Sequence, residues 1–184
     1  MHHAFMQASA AQLAQSGIAS FRYQFPYMEQ GGKRPNPGPV LIETVRSAIA
    51  AANKAAGDLP LFAGGKSMGG RMTSLAMAQE ALPGVRGLVF FGFPLHAAGR
   101  PSAERGEHLT GIHIPLLFLQ GTRDTLADLA LLRPLLRRLG RRASLHVVEG
   151  GDHSFHVLKR SGRTDAQVLA ELGAAVQDWT ARRV

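Results

Sequence analysis

A chain of 184 residues, 45% apolar and 18% charged, is long enough for one domain with one substantial core. Its lack of cysteine excludes disulfides, thiolate chemistry and cysteine-ligated zinc, and its apolar runs all fall short of the roughly 20 residues that span a bilayer. The formal net charge of +8 would suit an acidic partner such as nucleic acid, but no aromatic residues interleave with the basic clusters to stack on bases, so the excess reads as an arginine-rich solvated surface.

Residues 3–16 read as a helix with Phe5, Met6 and Leu13 as core contacts, closed by Gly17. Within it, Ala8-Ser9-Ala10 has the form of a signal-peptidase site, but no basic start and no apolar stretch precede it, so no signal peptide is expected and the cytoplasm is the expected compartment. Residues 18–25 carry Ile18, Phe21, Tyr23 and Phe25 and read as a strand. Gly31-Gly32 and the run Pro35 to Pro39 form a loop by backbone restriction. Helical spacing returns over 40–56 through Leu41, Val45, Ile49 and Ala52.

A short apolar strand over 59–63 runs into Gly64-Gly65-Lys66-Ser67-Met68-Gly69-Gly70, and a helix follows over 68–82, ended by Pro83-Gly84. Residues 88–93 form the next strand, and 94–113 are irregular or partly helical. A strand over 114–120 precedes a helix over 125–139 with a break or kink near Pro134. Arg137-Arg138 and Arg141-Arg142 close that helix, where positive charge complements its dipole. A strand over 144–148 and a helix over 164–180 complete the chain. Thr164 and Gln167 fit a capping box, and Val168, Leu172, Val176 and Trp179 share one helix face. Strands alternating with helices predict an α/β domain over residues 1–184, with a mostly parallel sheet covered on both faces. Functional residues then gather at the carboxyl edge of the sheet.

Gly65-Lys66-Ser67-Met68-Gly69 matches the pattern G-x-S-x-G, in which a serine occupies a sharp, strained turn between a strand and a helix. Side chains two residues before and after the serine would collide, so glycine is expected to be needed at both positions. The Met68 amide, at the start of the helix, can donate to a developing oxyanion. Asp124 lies just past the 114–120 strand, in Gln120-Gly121-Thr122-Arg123-Asp124, and His153 lies past the 144–148 strand, in Gly150-Gly151-Asp152-His153. The order Ser67, Asp124, His153 and their places after three strands of one sheet predict a catalytic triad. Asp128, expected inside a helix, and Asp152, beside His153, are rival acids. His96 and His108 fall at the predicted active edge and are possible substrate contacts as well as structural residues. His146, His113 and His156 read as structural or surface residues, and no pair of histidines has a carboxylate at ligand spacing, so neither metal nor cofactor is expected.

Beyond these motifs, the chain resembles one branch of the α/β-hydrolase superfamily, the dienelactone-hydrolase-like branch that includes testis-expressed and NSL-complex-subunit relatives. The resemblance rests on Phe25-Pro26-Tyr27-Met28, Gly64 to Arg71, Gly92-Phe93-Pro94-Leu95-His96, Arg105 with Glu107-His108-Leu109, Leu119 to Asp124, and Gly151 to Phe155. It implies a lidless hydrolase and carries the triad onto Ser67, Asp124 and His153. Members of that branch begin with a strand ending in a His-Gly-Ala-Gly-type loop, and this chain starts just after it. The resemblance therefore implies that the chain is N-terminally truncated. A central strand and a second oxyanion donor would then be missing, leaving unpaired backbone on the strands at 18–25 and 59–63. The expected function is a serine hydrolase acting on a small acyl substrate, an ester, a thioester or a related compound, through an acyl-enzyme. A peptidase and a non-catalytic interaction domain are the alternatives. No feature of the sequence sets an oligomeric state.

Overall fold

The computed structural model describes residues 4–184. Four parallel strands form one sheet in the order β1-β2-β3-β4, with β1 Leu61–Lys66, β2 Val85–Phe91, β3 Leu116–Gly121 and β4 Ala143–Val148. Six α-helices accompany it: α1 Ala4–Gln15, α2 Pro26–Glu29, α3 Gly38–Ala56, α4 Met68–Gln79, α5 Leu129–Leu139 and α6 Asp165–Ala181.

Alternation along the strands sorts the core into two layers. Leu88, Phe90, Leu116 and Phe118 point to the face covered by α3, α4 and α5, where they meet Val45, Met72, Ala76 and Leu132. Val89, Phe91, Leu117 and Leu119 point to the other face, where α6 supplies Val168, Leu172, Val176 and Trp179, and Phe5 and Leu13 of α1 pack alongside. Both faces of β2 and β3 are therefore apolar, the pattern that a parallel sheet between two helical layers requires. α6 starts at the expected capping box, with Thr164 Oγ1 accepting from the Gln167 amide at 3.2 Å and Gln167 Oε1 accepting from the Thr164 amide at 2.8 Å.

Residues 18–25 are not a strand: they join no ladder. Ile18 packs into the α6-side layer, whereas Tyr23 and Phe25 pack into the α3/α4-side layer, so the segment passes from one face of the sheet to the other. Phe21, between them, is 51% exposed. A segment that serves both layers presents alternating apolar residues without lying in the sheet. β1 thus pairs with β2 alone and forms one edge, with β4 at the other.

Pro39 belongs to the first turn of α3, where its missing N–H leaves nothing unpaired. Pro134 lies inside α5 without ending it. The helix begins only at Leu129, because Asp128 caps it, its Oδ1 accepting from the Ala130 amide at 2.7 Å. The connection from β2 to β3 carries a 3-10 helix, Glu104–Gly111, packed on α4, and no lid domain. Among the described residues no helix is long and apolar enough to cross a membrane.

Candidate active site

β1 ends at Lys66 and α4 begins at Met68, so Ser67 alone makes the turn, at φ 51° and ψ −119°. A left-handed φ outside glycine costs of order 1–3 kcal/mol and persists only where the surroundings fix it. Glycines let those surroundings close in. A Cβ on Gly64 would lie 2.0 Å from the Val89 carbonyl oxygen of the neighbouring strand. One on Gly65 would meet the Gly70 nitrogen at 3.0 Å, and one on Gly70 would meet the Gly65 oxygen at 2.7 Å. A Cβ on Gly69 would meet nothing within 4 Å. The steric requirement after the serine therefore falls on Gly70, not on Gly69 as the motif suggests, because the strand packs against the third residue of the helix.

Asp124 and His153 reach Ser67 from the carboxyl ends of β3 and β4. His153 Nδ1 lies 2.7 Å from Asp124 Oδ2, and its Nε2 lies 2.8 Å from Ser67 Oγ. An ionised carboxylate only accepts, so Nδ1 carries the proton and Nε2 is free to accept from the serine hydroxyl. The Asp124 side chain is fully buried and both its oxygens accept hydrogen bonds. Besides the imidazole it accepts from the Leu126 amide at 2.8 Å and from Gln120 Nε2. The rivals have other tasks. Asp128 caps α5, and Asp152 Oδ1 accepts from the Ser154 and His156 amides at 2.8 and 2.9 Å, closing the loop that carries His153.

Three residues that sequence reasoning passed over complete the site. Gln120 is fully buried; its Oε1 accepts from the Phe93 amide at 3.1 Å while its Nε2 holds Asp124. The signal was present, since Gln120 is the one polar side chain in Leu116–Gly121. Lys66 donates through Nζ to the His153 carbonyl, and its ammonium lies 5.8 and 5.6 Å from the ring centres of Phe5 and Phe155. Burial pushes its pKa down from 10.5 to about 8, although Asp124 and Asp152 pull it up. Gly92, at φ 70°, admits both groups: a Cβ there would lie 3.1 Å from Lys66 Nζ and 3.3 Å from the His153 oxygen.

Four further histidines are tied elsewhere. His96 Nε2 accepts from the Asp128 amide at 3.0 Å and its Nδ1 lies 3.0 Å from the Ala97 oxygen, so the ring braces the start of α5. His108 Nε2 lies 2.8 Å from Ser74 Oγ and fastens the 3-10 helix to α4. His146 pairs with Glu171 at 2.7 Å and His156 with Asp165 at 2.7 Å. Among the described residues no three histidine or carboxylate side chains gather at metal-binding distance.

A serine on a strand-to-helix turn, bonded to a histidine that is bonded to a buried carboxylate, directs comparison towards hydrolases. A family model described as an alpha/beta hydrolase domain matches residues 1–181. The chain belongs to that family. Solved structures agree on the fold of this alpha/beta hydrolase-family chain. An alpha-beta serine hydrolase homologue from Coxiella burnetii superposes with a TM-score of 0.74 at 17% identity, covering 97% of this chain and 76% of that one. A serine hydrolase without a lid from Xanthomonas campestris gives 0.70 at 22% identity, covering 97% and 75%. The esterase domain of a Rhodothermus marinus protein gives 0.69 at 17% identity, covering 97% and 79%.

Proposed function

We propose that the protein is a serine hydrolase of esters, thioesters or related acyl compounds, working through an acyl-enzyme on Ser67 with His153 and Asp124. The observation that carries this reading is the unbroken relay from Asp124 Oδ2 through both His153 nitrogens to Ser67 Oγ. His153 Nε2 takes the hydroxyl proton as Oγ attacks the acyl carbon, and Asp124 stabilises the imidazolium that forms. The oxyanion of the tetrahedral intermediate develops beside the first turn of α4. There the Met68 amide has no partner within its own helix and the helix dipole favours negative charge. His153 returns the proton to the departing alkoxide or thiolate, then activates the water that releases the acid and frees Ser67.

The lidless β2–β3 connection supports small or water-accessible acyl substrates. The motif blocks running from Phe25 to Phe155 support membership of the dienelactone-hydrolase-like branch, and a cytoplasmic role agrees with the lack of cysteine.

The test is labelling by a fluorophosphonate, which captures an activated serine, together with turnover of an activated ester. Wild-type protein should be labelled and Ser67→Ala should not, with turnover falling by several orders of magnitude. A folded wild-type protein that takes no label and turns over no ester would reverse the conclusion in favour of a non-catalytic interaction domain.

A further inference from the structure

We propose that the outer edge of β4, with the groove between it and α5, docks an extended acidic segment of a protein partner, which joins the sheet as a fifth strand. This edge is separate from the candidate active site: the groove opens at the start of β4, and the His153 loop follows the end of that strand.

β4 has a neighbouring strand on one side alone. The Thr122 amide donates to the Val148 carbonyl at 3.1 Å, so Val148 turns its backbone groups towards β3, and His146 and Ser144 turn theirs the same way. Leu145 and Val147 therefore direct their N–H and C=O outward, where the described residues supply no partner strand. Such an edge is a template for an added strand.

Charge says which strand. The groove beside this edge measures about 370 Å3 and is lined by Leu136, Ala143 and Leu145 together with Arg133 and Arg137. Both arginines are exposed, and among the described residues no carboxylate pairs with either. Arg138 pairs with Glu107 at 3.0 Å and Arg142 donates to the Ile112 carbonyl, whereas the two guanidiniums that line the groove keep their charge uncompensated. Arg133 and Arg137 stand four residues apart on α5, about 6 Å along its axis. Alternate side chains of a strand share one face and repeat about every 6.7 Å. Carboxylates at alternate positions of an added strand thus match the two arginines while its backbone pairs with Leu145 and Val147. The same charges oppose self-association. A second copy joined antiparallel through its own β4 would place its α5 on the same face across the seam, bringing four like charges together. No aromatic side chain lines the groove, so it gives a nucleic-acid base nothing to stack on.

The experiment titrates the full chain with a fluorescent nine-residue peptide in which threonine alternates with glutamate, read by anisotropy. The peptide should bind, should bind less tightly as salt rises, and should slow amide exchange at Leu145 and Val147. Its lysine-for-glutamate counterpart should not bind. Arg133→Gln and Arg137→Gln should each weaken binding by about fivefold, while Arg182→Gln, the loss of an exposed arginine after α6, should change it by less than about twofold. Both groove arginines are exposed, so their variants should keep wild-type melting and ester turnover. N-methylation of one alternate set of peptide amides should abolish binding and of the other set should leave it nearly intact, because one edge of the added strand faces β4. Failure of the peptide to bind, equal effects of the two methylation patterns, or equal effects of the groove variants and Arg182→Gln would overturn the proposal. So would a wild-type dimer that protects Leu145 and Val147 as concentration rises, which assigns the edge to a second copy. Displacement of the peptide by a lower concentration of a single-stranded oligonucleotide would overturn it in favour of nucleic acid.

Discussion

Replacing Lys66 by methionine should make the protein more stable at neutral pH and less active. The side chain is largely buried between Phe5 and Phe155, and its pKa falls from 10.5 to about 8 mainly through that burial. At roughly 1.4 kcal/mol per pH unit, keeping the ammonium charged below pH 8 opposes folding by about 3 kcal/mol. The variant also loses the bond to the His153 carbonyl, worth about 1 kcal/mol. The net gain at pH 7 is then about 2 kcal/mol, or about 4–8 °C in Tm for a chain of this size. The sign follows from linkage. Between pH 8 and 10.5 the unfolded chain holds the proton that the folded one has lost, so wild-type stability from this group rises with pH and is complete above 10.5. The advantage of Lys66→Met should therefore shrink over that window. Turnover should fall by about tenfold with little change in KM, since the carbonyl that Lys66 holds belongs to His153, the base in the proposed reaction. Urea melts at pH 7, 8 and 9.5, paired with ester turnover, provide the measurement. A Lys66→Met protein less stable than wild type at pH 7, with a pH dependence unlike that described, would refute the reasoning.

Asp124→Asn should lower kcat by up to about 10,000-fold with the fold intact, whereas Asp128→Asn, which keeps a capping oxygen for α5, should leave both turnover and melting close to wild type; steady-state kinetics and thermal melts decide. Gly64→Ala places a methyl group 2.0 Å from the Val89 carbonyl, so β1 and β2 cannot keep their register and stability should fall by about 3 kcal/mol or more in denaturant titration. Thr164→Ala removes one half of the capping box of α6 and should lower stability by about 1 kcal/mol without changing turnover.

The convergence of Ser67, Asp124 and His153 was legible in the sequence because each follows an apolar strand and has a glycine shortly before it: Gly65, Gly121 and Gly151. A parallel sheet delivers every such position to one edge. Gln120 was legible in principle, since a lone amide in an apolar strand needs a buried partner. Lys66 was not. It occupies a freely variable position of the serine motif, and only folding brings the His153 loop over its ammonium. The segment 18–25 was misread because alternation looks the same whether a chain lies in a sheet or passes from one of its faces to the other. Gly69 and Gly70 share a composition that hides which of them the strand touches. Asp128 was expected inside a helix, and its capping role emerged only from where α5 begins.

The relay joins the residue after the first strand to the loop that follows the last, 86 positions apart, with two further strands between them. None of the four strands is joined by a hairpin, so each pairing must wait for a crossover to close, the kind of non-local step that slows folding. No partial sheet can bring Ser67 to His153. Recovery of ester turnover after dilution from denaturant should therefore lag behind recovery of helical signal and report the docking of β4. A covalent inhibitor that bonds to Ser67 while filling the space beside His153 would tie the two edges together, and slow unfolding of the entire sheet instead of one loop.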